Sequence, residues 1–169
     1  ISKLIPKLGI VKQSISPFSL LAFEDAPERH RIRSEIYSTD INPENIIPLQ
    51  NLSQKTKKRI RIGYFSADFK EHPVAYLIAG VLEQHNRDKF RVFGYSLYSH
   101  SQSKLRQRLV DSFDCFVDIA GMSDKDKVLR AREDAIDIAI DLTGYTENNC
   151  SKIFAYRIAP IQINYLGFP

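Results

Sequence analysis

The sequence contains no tryptophan, one methionine and two cysteines in 169 residues. Cys115 and Cys150 are too few for a disulfide framework or a cysteine metal site, and such sparse cysteine usage fits a reducing compartment. Long apolar runs are also missing: the longest uncharged stretch of the second half, residues 72–82, falls short of the roughly 20 residues that cross a bilayer. We therefore predict a cytoplasmic protein with no membrane association. Because the chain does not start with Met, we expect a piece of a longer protein.

Charge of one sign does not dominate the chain. It carries 24 basic and 20 acidic residues, a formal net charge of +4, and 43% of its residues are hydrophobic, which is enough for a core. Part of the basic excess lies at residues 55–61, beside a predicted strand. No aromatic residues are interleaved there, as a platform for single-stranded nucleic acid requires. We interpret this run as the solvated end of a linker and do not expect a nucleic-acid partner.

The pattern along the chain divides it into three regions. Residues 1–39 form an N-terminal helical segment, with a helix predicted from about Pro17 to Ser38. Residues 40–58 are rich in proline and asparagine and predict a linker. From residue 59 to 169, short runs rich in Ile, Val, Phe and Tyr alternate with helical stretches.

This last region predicts an α/β fold. Its five strands are expected at residues 60–65, 90–98, 115–119, 136–142 and 161–166, and each is apolar enough to be a buried parallel strand. Four helices are expected between them, at residues 73–85, 101–113, 123–134 and 149–158. Right-handed crossovers then give a Rossmann-like parallel sheet of order 3-2-1-4-5, with helices on both faces. The ligand crevice of such a sheet lies beyond the carboxyl ends of the first and fourth strands.

The loop after the first strand lacks a G-x-G-x-x-G motif, which argues against a dinucleotide site. It carries Asp68 and His72 instead, just before the N-terminus of a helix. That position favours bound anions and a neutral imidazole, so the pair could handle a proton. The competing interpretation is structural, with His72 capping the helix and Asp68 forming a turn.

Two further loops are expected at the same edge of the sheet. Residues 143–147 follow the fourth strand and include Gly144 and Tyr145, and residues 166–169 follow the fifth. With residues 66–73 they predict three loops converging on one crevice. Zinc-ligand spacing and a G-x-S-x-G elbow are both absent, so we predict neither a metal nor a serine hydrolase.

Three blocks of this region resemble the O-GlcNAc transferase family, including its bacterial members. They are R-I-R-I-G-Y-F-S-A-D-F-K-E-H-P at residues 59–73, D-L-T-G-Y-T at residues 141–146 and R-I-A-P-I-Q-I-N-Y-L-G-F-P at residues 157–169. Residues 85–96 agree as well, and S-P-F-S-L-L-A at residues 16–22 agrees more loosely.

The resemblance implies the N-terminal half of a GT-B glycosyltransferase, with the C-terminal donor-binding half absent here and tetratricopeptide repeats upstream. It implies transfer of a sugar, usually GlcNAc from UDP-GlcNAc, to Ser or Thr of a protein acceptor, with inversion and without metal or another cofactor. By the motif match, the catalytic residues are Asp68 and His72. The residues matched to the donor-sugar pocket are Pro73, Tyr145, Leu166 and Gly167. Without the other half, we expect this chain alone to be inactive.

This sequence departs from its relatives at a few positions. Val74 stands where some have a hydroxyl residue, Tyr76 where animal members have a second histidine, and residues 13–16 replace a histidine-rich segment. Two alternatives to the enzyme half remain. One is a catalytically silent protein-binding module, for which the helix at 17–38 would project freely; the weaker one is a flavodoxin-like nucleotide or receiver domain.

Overall fold

The structure is a computed structural model that describes residues 5–11, 14–43, 58–99 and 101–168. Within these ranges, five strands build one sheet: β1 (Ile60–Ser66), β2 (Phe90–Ser96), β3 (Cys115–Asp118), β4 (Ile138–Asp141) and β5 (Ile161–Asn164). Five α-helices accompany them in the described part of the chain: α1 (Pro27–Asp40), α2 (Pro73–Glu83), α3 (Lys104–Asp111), α4 (Asp124–Glu133) and α5 (Ser151–Ala155).

All strand pairs are parallel and the order is β3-β2-β1-β4-β5, which confirms the predicted topology. One core cluster unites the sheet with Ala75 and Ile78 of α2 and Leu109 of α3, and the other unites it with α4 and α5. Helices therefore cover both faces. The neighbouring strands β1 and β4 end together, with Phe65 opposite Asp141, so their following loops leave from the same edge.

The single helix predicted for residues 17–38 is wrong. Residues Pro17–Leu20 form a short 3₁₀ turn, and the α-helix starts only at Pro27. A residue before proline avoids the helical conformation, and Ala26 has φ −150° and ψ 76°, so the chain breaks there and restarts with proline in the first turn.

Arg33 of α1 holds the N-terminal segment together from within. Its side chain is fully buried and donates hydrogen bonds to the carbonyl oxygens of Leu8, at 2.8 Å, and Ile5, at 2.9 Å. It also pairs with Glu24 at 2.5 Å. Hydrogen bonds from Arg29 and Arg33 lower the pKa of Glu24 to about 2. The segment is therefore a small folded unit.

That unit docks on the sheet domain. The ring of Tyr37 meets the ring of Tyr145 edge-on, with centroids 5.2 Å apart, and Phe18 lies 5.6 Å from Phe168. The hydroxyl of Ser16 donates to the carbonyl of Tyr145 at 2.7 Å. The binding-module hypothesis requires a helix that projects freely, but in the structure this segment is docked on the sheet domain.

The fifth strand departs from its predicted burial. Ile161 and Ile163 expose 52% and 44% of their surface, because β5 is the edge strand and its outer residues lack a neighbour in the sheet. The interior of the predicted linker, residues 44–57, lies outside the described residues. In the described part of the chain, no helix combines the length and apolarity needed to cross a membrane.

Candidate functional site

The loop between β1 and α2 carries the two predicted catalytic residues. At its start, Ser66 Oγ accepts a hydrogen bond from the backbone N–H of Asp68 at 2.9 Å. At its end, His72 is the N-cap of α2, and its Nδ1 accepts a hydrogen bond from the backbone N–H of Val74 at 3.3 Å. The capping interpretation of His72 is thus confirmed, and its catalytic role stays a prediction.

Asp68 lies between two basic side chains. Its Oδ1 is 3.6 Å from Lys70 Nζ and its Oδ2 is 3.7 Å from His72 Nδ1, with 15% of the Asp68 side chain exposed. Since Nδ1 accepts from Val74, the ring proton must sit on Nε2 in this arrangement. A proton gained at Nδ1 would end the bond to Val74 and allow a bond to Asp68. The geometry therefore links proton handling at His72 to the cap of α2.

Asp141, the last residue of β4, organises the loop that follows. Its Oδ1 accepts hydrogen bonds from the N–H groups of Thr143, at 2.8 Å, and Gly144, at 3.1 Å, and from the Cys150 thiol, at 3.3 Å. The residue is only 6% exposed, and burial raises the pKa of its carboxyl. These bonds fix the backbone immediately before Tyr145.

The loop after β5 packs directly on this one. The N–H of Tyr145 donates to the carbonyl of Phe168 at 2.7 Å, and Gly144 pairs with Phe168 in an isolated parallel bridge. Gly167 lies so close to Thr143 and Gly144 that a side chain would not fit at this position: a Cβ would overlap the backbone of both residues. Leu166 takes φ +67°, a conformation that is uncommon for a residue with a side chain.

Thr143 brings the first loop into the same cluster. Its Oγ1 lies 3.5 Å from the backbone N of Ala67, in the loop that carries Asp68 and His72. All three predicted loop ends therefore share the carboxyl edge of the sheet around Thr143. Pro73 occupies the exposed first position of α2, directly after His72.

Tyr145 faces the N-terminal segment. Its ring contacts Tyr37, and burial raises the pKa of its hydroxyl. It also borders a cavity of about 400 Å³ between α1, α5 and β5. Of the six predicted site residues only Tyr145 lines that cavity, so the cavity lies beside the Asp68–His72 loop and not at it. The described lining residues are Ser38, Ile41, Asp141, Gly144, Tyr145, Ser151, Phe154, Ala155, Gln162, Ile163, Asn164 and Phe168.

Replacing Asp141 with asparagine should change how stability depends on pH. Because burial raises the pKa of Asp141 in the folded state, its contribution to stability is full below about pH 3.8 and declines as the pH rises through the raised value. Asparagine can accept the same two backbone hydrogen bonds without titrating.

The difference in Tm between D141N and the parent chain should therefore shift in favour of D141N as the pH is raised from 3.5 to 7.5. Each 1 kcal/mol in the free energy of unfolding corresponds to about 2–4 °C in Tm. Thermal melts across this pH range measure it. The control is Asp111→Asn, an exposed residue at the end of α3. A Tm difference that stays constant with pH would contradict the prediction.

Sequence reasoning missed two residues that shape the site. The role of Asp141 could have been predicted from the sequence. In a turn that contains glycine, an aspartate side chain commonly accepts hydrogen bonds from the backbone N–H groups two and three residues later. The role of Arg106, described below, could not, because its contact is 37 residues away in the chain. No group of three or more His, Cys, Asp or Glu suited to a metal occurs among the residues described, and metal-free chemistry stays a prediction.

Comparison with known proteins places these residues in a family. The model of glycosyl transferase family 41 matches residues 41–169. A protein of Arabidopsis thaliana, named Probable UDP-N-acetylglucosamine–peptide N-acetylglucosaminyltransferase SEC, is 41% identical over 112 residues, covering 66% of this chain and 12% of its own length. The Caenorhabditis elegans UDP-N-acetylglucosamine–peptide N-acetylglucosaminyltransferase is 34% identical over 125 residues, covering 73% of this chain and 11% of its own length.

The fold is also similar to a solved structure, the Thermobaculum terrenum O-GlcNAc transferase mutant K341M. The superposition has a TM-score of 0.82 and 26% sequence identity, and covers 98% of this chain and 32% of that one. The chain thus spans about one-eighth of the length of these two curated relatives.

Proposed function

We propose that this chain, which belongs to glycosyl transferase family 41, supplies the N-terminal half of a GT-B catalytic region that transfers GlcNAc from UDP-GlcNAc to Ser or Thr of proteins with inversion. One observation carries the proposal: the family match over residues 41–169 includes all three loops that meet at the carboxyl edge of the sheet. The names of the relatives supply the donor and the peptide acceptor.

The loop after β1 has the groups that the first half of this reaction needs. A hydroxyl attacks the anomeric carbon and must lose its proton, which a positioned base accelerates by about 10²–10⁴-fold. Asp68 and His72 are the two candidates, and their 3.7 Å separation lets them act as a unit. The leaving diphosphate needs N–H groups and a cation, which we assign to the missing C-terminal half.

The sugar end of the donor would lie along the rim formed by Pro73, Leu166 and Gly167, with Tyr145 at its border. The absence of a side chain at Gly167 leaves the rim flat beside Thr143. Leu166 holds its left-handed conformation only because its neighbours are fixed, and such conformations cluster at functional sites. We place the route of the acceptor on the same side, where Tyr37 of the folded N-terminal segment contacts Tyr145.

The proposal extends to the whole protein. The domain limits are 1–39 for the helical segment, 40–58 for the linker and 59–169 for the half-domain. Tetratricopeptide repeats would precede them and present protein acceptors in the cytoplasm. We propose neither a metal nor an organic cofactor, and no nucleic-acid partner.

Transfer assays on the parent enzyme and on the isolated 169-residue chain test this function. With radiolabelled UDP-GlcNAc and an acceptor protein, the parent should transfer sugar to Ser or Thr, equally well with and without EDTA. The isolated chain should show at most a trace, because it lacks the groups assigned to leaving-group stabilisation. Near-normal rates from the isolated chain would overturn the half-site assignment, and a parent that transfers no sugar would overturn the function.

A further inference from the structure

A buried cation lies behind the candidate site, with no acidic partner among the residues that the structure describes. Arg106 of α3 is 5% exposed, and its guanidinium contacts a carbonyl oxygen and an aromatic face. Its Nε has no hydrogen-bond partner in the described part of the chain. Taking a guanidinium out of water is costly unless its interactions compensate, so an apolar residue would fill this helix position more simply.

The carbonyl that Arg106 holds belongs to the Asp68–His72 loop. Its Nη1 donates to the carbonyl oxygen of Phe69 at 2.7 Å, directly after Asp68. The guanidinium carbon lies 5.3 Å from the centroid of the Phe116 ring, and the buried Phe69 ring packs edge-on against the same ring at 5.7 Å. The hydrogen bond and the aromatic contacts thus converge on one residue of the loop.

The loop has a second side-chain contact, with α2. Glu71 accepts a hydrogen bond from the hydroxyl of Tyr76, in the first turn of α2, and this bond lowers the pKa of the Glu71 carboxyl. The helix that carries Arg106 is capped by Ser103, whose hydroxyl accepts a hydrogen bond from the N–H of Arg106 at 3.1 Å. Glu71 lies directly before His72, as Phe69 lies directly after Asp68.

We propose that Arg106 is a positioning residue for the Asp68–His72 pair. With Phe69 held by Arg106 of α3 and Glu71 bonded to Tyr76 of α2, the backbone between Asp68 and His72 has two fixed points. The distance between the carboxylate and the imidazole then depends on α3, a helix that contributes no side chain to the rim. The effect of Arg106 on catalysis rests on the proposed function, whereas its effect on the position of the loop does not.

Two variants and a matched control test it. Arg106→Met keeps the length and removes the hydrogen bond, and Arg106→Lys keeps the charge and one donor. Arg108→Met is the control, because Arg108 lies on the same helix but is exposed and pairs with Glu83 at 2.6 Å, away from the loop. In the 169-residue chain, amide hydrogen exchange at residues 68–72 should accelerate on the order of 10-fold in R106M and stay unchanged in R108M.

In the parent enzyme, R106M should lower kcat on the order of 10²-fold, as misplacement of reacting groups by about 1 Å does, with the KM for UDP-GlcNAc within about 2-fold. R106K should recover most of the loss, and R108M should match the parent. A purely structural arginine would instead lower Tm and leave the kcat of the folded fraction unchanged, which would overturn the proposal.

Two outcomes keep the proposals separate. If R106M does not fold, Arg106→Gln decides, because its uncharged side chain is too short to keep the contact with Phe69. Unchanged exchange at residues 68–72 together with unchanged kcat in R106Q would overturn the positioning role. If the wild-type parent transfers no sugar, the proposed function fails, and hydrogen exchange in R106M and R108M still decides whether Arg106 fixes the loop.

Discussion

Gly144→Val should unfold the rim and lower the Tm of the chain by at least about 6 °C. Gly144 has φ +59°, where a β-branched residue is strongly disfavoured, and its Cβ would overlap the carbonyl group of Phe168. Neither obstacle can be relieved by rotating a side chain, because the clash is with backbone. Strain of this kind costs roughly 3 kcal/mol or more, and 1 kcal/mol is worth about 2–4 °C in a protein of this size.

The same substitution should abolish transfer by the parent enzyme, because relief of the clash separates Tyr145 from Phe168 and moves Gly167. Gly80→Ala is the matched control: Gly80 lies within α2, where a Cβ would meet no described atom within 4 Å, so alanine should raise stability by about 0.5–1 kcal/mol. Thermal melts and transfer assays on both variants measure the contrast. A G144V protein with parental Tm would show that the Gly144–Phe168 bridge does not hold the rim.

The sheet topology could be predicted from sequence because it depends on local signals. Each strand is a compact apolar run, and strands separated by helices are joined by crossovers of one hand, which leaves few arrangements. The N-cap of α4 is also a local feature: Ser123 Oγ accepts a hydrogen bond from the N–H of Asp126 at 3.2 Å. The predicted burial of β5 was wrong, because the position of a strand at the edge of a sheet depends on all the other strands and not on its own residues.

The candidate site divides in the same way. The meeting of the three loops follows from strand order, so it could be predicted once the topology was. The contacts of Tyr145 with Tyr37 and of Arg106 with Phe69 could not, because each joins residues far apart in the chain. The helix break before Pro27 was readable from the proline, yet the apolar spacing favoured a longer helix. Contacts between residues far apart in the chain, in contrast, produce no periodic pattern in the sequence.

His72 should prove to have two separable roles, and two substitutions distinguish them. Asparagine is a good N-cap, so His72→Asn keeps an acceptor for the N–H of Val74 while removing the imidazole. Alanine removes both and should lower stability by about 0.5–2 kcal/mol. If the imidazole handles a proton, both variants should lower kcat of the parent enzyme by about 10²–10⁴-fold, with only H72A losing Tm.

Asp68→Asn completes this experiment, because it removes the carboxylate 3.7 Å from His72 without disturbing the cap. If Asp68 and His72 act as a unit, the double variant D68N/H72N should be little slower than the more damaged single variant, since groups that act together are strongly non-additive. Steady-state kcat of the four proteins, with Tm measured on each, gives the cycle. An H72N enzyme with parental kcat would limit His72 to its cap and leave Asp68 as the sole candidate base. Multiplicative losses would instead mean that the two side chains act on different steps, the carboxylate on the acceptor hydroxyl and the imidazole elsewhere on the donor.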